Sequence, residues 1–95
     1  MAARRPIDLS TRFRLAPAAT RMLGSDLLVN VGGATASVQR LLGTGPDLWW
    51  CFSRGYTVSE AVTYLASRDG APPDLEGNVL AFAASLVETG LAEAV

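Results

Sequence analysis

The sequence predicts one small α+β domain, in which antiparallel strands come first and three helices follow. A chain of 95 residues suffices for one hydrophobic core but not for two. The apolar fraction of 49% is high enough to build that core. The apolar pattern has a period of about two up to residue 42 and of about 3.6 after Gly43, which predicts strands and then helices.

The beginning of the chain has the weakest patterning. Residues 1–11 are mostly small or charged, and we expect a flexible N-terminal tail there, followed by a single domain over residues 12–95. Arg12–Leu15 alternates polar and apolar residues, which indicates a short strand. Thr20–Leu23 suits a strand as well as a loop.

The clearest β signal is a hairpin. Asp26–Val31 has the composition of a strand, and Gly32-Gly33 tolerates the positive φ angles of a tight turn. The return strand is predicted over Thr35–Leu42. Its alternation gives one face with Ala36, Val38 and Arg40, and a second face with Ser37, Gln39 and Leu41.

Two helices are predicted after the hairpin. Pro46 suits the first helical turn and Asp47 faces the positive end of the helix dipole, so the first helix is predicted over Asp47–Arg54. Thr57 and Glu60 have the spacing of a capping box, which predicts that a second helix begins there and ends before Gly70.

A third helix is predicted over Leu75–Thr89. Asp74 is a suitable N-cap, Gly90 suits a left-handed C-cap, and Leu91 can fold back onto the helix. The apolar stripe of this helix consists of Leu75, Val79, Phe82 and Leu86. Strands followed by three helices in this order predict a winged-helix-like architecture.

The composition argues against catalysis. The chain has no His, all eight basic residues are Arg, and Cys51 is its single cysteine. One cysteine excludes an internal disulfide and a Cys/His zinc cluster, and we expect neither a metal nor a cofactor. Cys51 follows two tryptophans, where burial disfavours the thiolate, so we interpret it as core packing and expect no enzyme.

The absence of a long apolar run argues against a membrane protein. A helix that spans a bilayer needs roughly 18–20 apolar residues, and this chain has no such run. We expect a cytoplasmic protein whose single thiol stays reduced.

The charge distribution bears on nucleic-acid binding, which is common among winged helices. Residues 1–40 hold six arginines and two aspartates, whereas residues 41–95 hold two arginines and seven acidic residues. A groove-binding helix needs basic residues to neutralise phosphates. The predicted third helix has none and carries two glutamates. A nucleic-acid-binding protein is therefore the alternative, with weak and unspecific binding through the N-terminal arginines.

A hairpin whose last strand lies at a sheet edge suggests a different use. Such an edge exposes backbone N–H and C=O groups that can accept a strand from a peptide, and the apolar stripe of the third helix is expected beside it. Arg40 could pair with an acidic residue of that peptide. A protected edge, a homodimer through this edge, and a structural subunit that holds an enzyme through its apolar surface stay open at this point.

Two adjacent tryptophans lie on the predicted first helix. Trp49 and Trp50 are about 100° apart around the helix axis, so they cannot face the same direction. One of them is expected in the core, and the other lies at a helix–sheet seam or is an exposed binding anchor.

Three stretches of the chain together resemble a known family. Leu41–Trp49 runs from a strand through Thr-Gly into a helix with an early tryptophan. Gly55–Ala66 holds a glycine and then a Thr-Val-Ser-Glu capping box, and Val79–Leu91 ends in Gly-Leu. In this order the signals resemble the PqqD-like family, which includes the RiPP recognition elements, over about residues 20–92.

The resemblance implies a non-catalytic binder of leader peptides. Members of this family bind the leader segment of a ribosomally made precursor peptide as an added strand and present it to a leader protease or other modifying enzymes. The resemblance leaves open whether the pathway makes a lasso peptide, pyrroloquinoline quinone or another product. Carried over by position, the contacts are Ser37, Val38, Gln39, Arg40 and Leu41 of the strand, and Asn78, Val79, Phe82 and Leu86 of the third helix.

Overall fold

Strands come before the three helices in the structure, as the sequence pattern predicts. A computed structural model describes residues 7–31, 37–70 and 72–95. Within these ranges four strands precede the helices: β1 (Phe13–Leu15), β2 (Ala19–Leu23), β3 (Asp26–Val31) and β4 (Ser37–Leu41). They are followed by α1 (Gly45–Ser53), α2 (Val58–Asp69), α3 (Leu75–Glu88) and a short final strand, β5 (Ala92–Ala94). The α+β class and the order of strands and then three helices are confirmed.

The main sheet has three antiparallel strands in the order β2–β3–β4. Leu28 in the centre of β3 lies opposite Arg21 of β2 on one side and Arg40 of β4 on the other. The predicted hairpin strands are confirmed, while the predicted turn at Gly32-Gly33 and the residues up to Ala36 lie outside the described residues. Both β2 and β4 are edges of this sheet.

A second, two-stranded sheet joins the two ends of the domain. β1 pairs antiparallel with β5, with Arg14 opposite Glu93 and their side chains 3.0 Å apart in an ion pair. Phe13 is buried and its ring centroid lies 4.8 Å from that of Phe52. The sequence did not predict β5, because Ala-Glu-Ala has low strand propensity and forms a strand only by pairing with residues some eighty positions away.

The N-terminus of α2 is capped as the sequence predicts. The Thr57 side chain accepts a hydrogen bond from the Glu60 backbone N–H at 3.1 Å, and the Glu60 carboxylate accepts one from the Thr57 N–H at 2.9 Å. The hydrogen bond from the Thr57 backbone lowers the pKa of Glu60, with a smaller contribution from the charge of Arg12.

The boundary predicted at residue 12 is too late. The backbone carbonyls of Leu9 and Thr11 accept hydrogen bonds from Ser59 and Val58, the next two free N–H groups of α2. Ile7 also packs against the core. Residues 7–11 therefore belong to the domain, because a helix N-terminus needs acceptors that neighbouring chain can supply; residues 1–6 lie outside the described residues.

The end of α3 also follows the prediction. Gly90 has a φ of 77°, and the N–H groups of Gly90 and Leu91 donate to the carbonyls of Val87 and Leu86 in a Schellman motif. Leu91 then enters the core. At the other end Asp74 holds the N-cap position, but its side chain makes no capping hydrogen bond.

An ion pair ties α1 to α2. Both guanidinium Nη atoms of Arg68 donate to the Asp47 carboxylate, at 2.9 and 2.8 Å. This hydrogen bonding holds the pKa of Asp47 below its usual value, against an opposing effect of partial burial. α1 begins at Gly45, two residues before the predicted start.

The core lies between one face of the three-stranded sheet and the three helices. The sheet contributes Leu27, Val29 and Leu41, which share the face of the sheet opposite to Arg40. The largest fully buried side chains are Phe52, Leu48, Leu65, Val29, Val58, Val79 and Cys51.

Candidate functional site

The β4 strand has an open edge. In the order β2–β3–β4, only one side of β4 is paired. In an antiparallel sheet alternate residues of such a strand direct their N–H and C=O groups away from the partner strand. Among the described residues, no backbone group of Val38, Gln39 or Arg40 bonds outside the pairing with β3. The edge can therefore accept another strand.

The side chains of β4 divide between two environments. Val38 is 61% exposed and Arg40 is exposed, whereas Gln39 is half-buried and Leu41 belongs to the core. Of the five strand residues predicted as contacts, Ser37 begins β4. Leu41 can contribute only its backbone to a partner, because the core covers its side chain.

Gly45 marks the place where the end of β4 meets α3. A Cβ atom at Gly45 would lie 3.0 Å from the Cβ of Leu41 and 3.3 Å from the nearest atom of the Phe82 ring. Because glycine lacks a Cβ, the ring of α3 can approach the first turn of α1 beside the last residue of β4. The close approach places half-buried Phe82 at the end of the open edge.

The four helix residues predicted as contacts separate into two pairs. Val79 and Leu86 are 1% and 2% exposed and belong to the core, so the structure closes their side chains to a partner. Asn78 is exposed and Phe82 is half-buried. These two lie about 100° and 60° from Val79 around the helix axis, on the same flank of α3. The accessible part of the predicted helix surface is therefore Asn78 and Phe82.

Arg40 already has a partner within the sheet. Its Nε and Nη2 atoms donate to Oδ2 of Asp26 at 2.9 and 2.5 Å. Asp26 belongs to the neighbouring strand β3 and lies on the same face of the sheet, diagonally opposite Arg40. The predicted contact between Arg40 and an acidic peptide residue stays a prediction, and such a residue would compete with Asp26 for the exposed guanidinium. The pairing could have been found from the sequence once the hairpin register was known, because diagonal cross-strand residues are within reach of an arginine.

The two edges of the sheet differ in charge and in surroundings. All five residues of β2 are exposed, including Met22, although this side chain points to the same face of the sheet as buried Leu27. Arg21 in the middle of β2 makes no ion pair within residues 7–31, 37–70 and 72–95. β4 instead carries a neutralised arginine and ends beside Phe82, so it is the more favourable edge for an added strand.

Cys51 lies in the core with none of its surface exposed. Burial raises the pKa of its thiol, and the negative charge of Asp47 raises it further.

The described part of the chain contains no group of three or more His, Cys, Asp or Glu residues placed to hold a metal ion. Within the same part, no helix has the length and apolar character needed to cross a bilayer.

Comparison with known proteins gives no relative from which a function could be transferred. The chain matches no family model, no curated protein and no solved structure. The resemblance to the PqqD-like family thus stays a prediction.

Proposed function

We propose that this domain is a non-catalytic protein that binds the leader segment of a ribosomally synthesised precursor peptide as an additional strand on β4. The observation that carries the proposal is the open edge of β4, which ends beside the half-buried ring of Phe82. Backbone hydrogen bonds along the edge supply affinity with little dependence on sequence, and pockets for alternate side chains supply selectivity.

The surroundings of β4 give the bound peptide two different faces. Side chains on one face of the peptide lie beside Val38 and the neutralised Arg40, toward solvent. Side chains on the other face lie toward Gln39 and the flank of α3 with Asn78 and Phe82. An apolar peptide residue gains most on the second face, because Phe82 offers an aromatic contact and Asn78 a hydrogen-bonding amide.

The proposed role is delivery. A domain that holds the leader only through backbone pairing and a few side chains leaves the rest of the precursor free for a leader protease or another modifying enzyme. The buried Cys51 thiol, whose pKa is raised, fits a carrier that performs no thiol chemistry. We place this exchange in the cytoplasm, and pathways of the lasso-peptide or pyrroloquinoline quinone kind are the contexts that the resemblance implies.

The proposal is tested by a fluorescence-polarisation titration with a labelled leader peptide. The peptide is the leader segment encoded by a precursor gene next to the gene of this protein. We expect binding at micromolar concentrations. Asn78→Arg and Phe82→Ala should each weaken it by at least about five-fold, since truncating or blocking an interface anchor costs on the order of 1 kcal/mol or more. Met22→Ala on the opposite edge is the matched control and should leave the affinity unchanged.

The Asn78→Arg variant distinguishes a loss of binding from a loss of folding. Asn78 is exposed, so the Asn78→Arg protein should keep the circular dichroism spectrum and unfolding midpoint of the wild type. If the wild type shows no binding at tens of micromolar, or if both α3 variants bind like the wild type while Met22→Ala does not, the assignment of β4 and α3 is wrong.

Nucleic-acid binding has less support. Of the six arginines in the described ranges, four are paired with carboxylates: Arg12 with Glu60, Arg14 with Glu93, Arg40 with Asp26 and Arg68 with Asp47. Charges that are already neutralised release few counterions from a nucleic acid. A mobility shift that persists at about 200 mM salt would nevertheless favour this alternative, because weak phosphate contacts are lost at that ionic strength.

A further inference from the structure

An aromatic cluster lies between α1 and α2. Trp50 is 39% exposed, and its ring packs against two tyrosines, with centroid distances of 5.8 Å to Tyr56 and 5.5 Å to Tyr64. Trp49 is half-buried against the core, so of the two adjacent tryptophans Trp50 is the surface residue. Trp, Tyr and Arg are the residues that most often anchor protein interfaces, and the core does not require this much exposed aromatic surface.

A shallow groove of about 350 Å³ runs beside the cluster. We call it the aromatic groove, and it is lined by Tyr56, Ser59, Glu60, Thr63 and Tyr64. Its walls combine two aromatic rings with four hydroxyl groups that can donate hydrogen bonds. This composition suits a ligand that offers apolar ring surface and free carbonyl oxygens together.

A polyproline II segment has these properties. It has no internal hydrogen bonds, so its carbonyl groups are free, and its fixed φ angles reduce the entropy lost on binding. Grooves lined by aromatic side chains are a recurring way to bind such segments. An ordinary flexible peptide would lose more conformational entropy for the same small contact area.

The charges around the aromatic groove indicate which charge a partner segment should carry. Glu60 is paired with Arg12 at 3.4 Å, and Arg68 is paired with Asp47. Arg54 stacks over Trp50 with its guanidinium carbon 4.6 Å from the ring centroid, and it forms no ion pair with any residue that the structure describes. The cluster therefore carries one uncompensated positive charge, which is complementary to a carboxylate.

We propose that the aromatic groove binds a proline-rich segment of a partner protein, with an acidic residue of that segment placed at Arg54. Prolines contact the rings of Tyr56 and Tyr64, and the hydroxyls of Ser59 and Thr63 donate to the free carbonyls. The groove is formed by α2 and the turn that precedes it, so this inference does not depend on peptide binding at β4.

The test uses the full chain labelled with ¹⁵N and three synthetic peptides at up to millimolar concentration. These are acetyl-Pro-Pro-Pro-Glu-Pro-Pro-Pro-amide, the same peptide with Arg in place of Glu, and Gly-Ser-Gly-Glu-Gly-Ser-Gly. We expect the first peptide to shift the amide resonances of Tyr56, Thr63 and Tyr64 and the indole N–H of Trp50. The Arg peptide should bind about two- to five-fold more weakly, as expected for one exposed charge pair, and the Gly/Ser peptide should not bind.

Two variants with a matched control complete the experiment. Arg54→Gln should remove the difference between the Glu and Arg peptides, and Trp50→Ser should abolish the shifts of the tyrosine amides. Arg14→Gln, which changes an exposed arginine on β1, should behave like the wild type. The proposal is overturned if the Gly/Ser peptide binds as well as the proline peptides, if the shifts cluster on β4 and α3 instead, or if Arg54→Gln still distinguishes Glu from Arg.

Discussion

Two Gly→Ala substitutions in this chain should change stability in opposite directions. In a helix, alanine is favoured over glycine by roughly 0.5–1 kcal/mol, because glycine loses more backbone entropy on folding. Gly45 and Gly77 both lie in the first turn of a helix, and neither has a positive φ. The intrinsic preference for alanine therefore applies to both, and only the surroundings of the new methyl group differ.

The surroundings set the expected magnitudes. At Gly77 a Cβ meets nothing within 4 Å, so Gly77→Ala should stabilise the protein by about 0.5–1 kcal/mol. At Gly45 the new methyl would be 3.0 Å from Leu41 and 3.3 Å from Phe82. Such overpacking costs about 1–3 kcal/mol, so after subtraction of the helix preference a net loss of about 1 kcal/mol is expected from mid-range values, and at most about 2.5 kcal/mol.

Urea denaturation followed by far-ultraviolet circular dichroism measures both changes. The midpoint of Gly77→Ala should rise and that of Gly45→Ala should fall, with the slopes unchanged. Because Leu is smaller than the Phe82 ring, the double variant with Gly45→Ala and Phe82→Leu should lose less than the two single losses added together. A Gly45→Ala protein as stable as Gly77→Ala would refute the close approach of β4, α1 and α3 on which the candidate site depends.

Three further predictions concern the caps, the ion pairs and the thiol. Thr57→Ala should lower the free energy of unfolding by about 1 kcal/mol through loss of the capping box, whereas the exposed control Thr63→Ala should change it by less than about 0.5 kcal/mol; equal losses would contradict this. Asp47→Asn should be less stable than the wild type at pH 6. Because folding lowers the pKa of Asp47, the wild-type advantage should begin to shrink as the pH falls through the ordinary value of 3.8 and should be lost as the pH falls through the lowered pKa; an advantage that does not shrink with falling pH would refute the role of the pair. Cys51 should resist a thiol reagent at neutral pH and react only after denaturant is added, since burial raises its pKa; rapid labelling of the native protein would show an open core.

The parts of the fold that could be predicted from the sequence are those determined by neighbours along the chain. The capping box of Thr57 and Glu60 spans three residues, and the Gly90 cap lies next to the helix that it ends. Their physical cause is local, so the pattern is sufficient. β5 was not predicted because its strand conformation comes from pairing with β1 at the other end of the chain. The same holds for residues 7–11, whose carbonyls cap a helix some fifty positions later.

The candidate site shows the same division. The alternation of β4 predicts two faces, and Val38 and Leu41 indeed lie in opposite environments. The accessible stripe of α3 is set by the rotation of the helix about its axis against the core. In the structure this rotation buries Val79 and leaves Phe82 half-buried. The ion pair between Arg40 and Asp26 depends on the register in which β3 and β4 pair. The sequence pattern of a hairpin fixes that register only when the length and type of the turn are known.

The pairing of β1 with β5 brings the first strand of the domain next to its last strand. The backbone N–H of Val95 donates to the carbonyl of Arg12 at 2.9 Å. A fold whose first and last strands are paired can be grafted into a surface loop of a host enzyme without forcing the two halves of the host apart. Such an insertion would hold a captured peptide at a fixed distance from the host's active site and replace diffusion between two proteins by a high effective concentration.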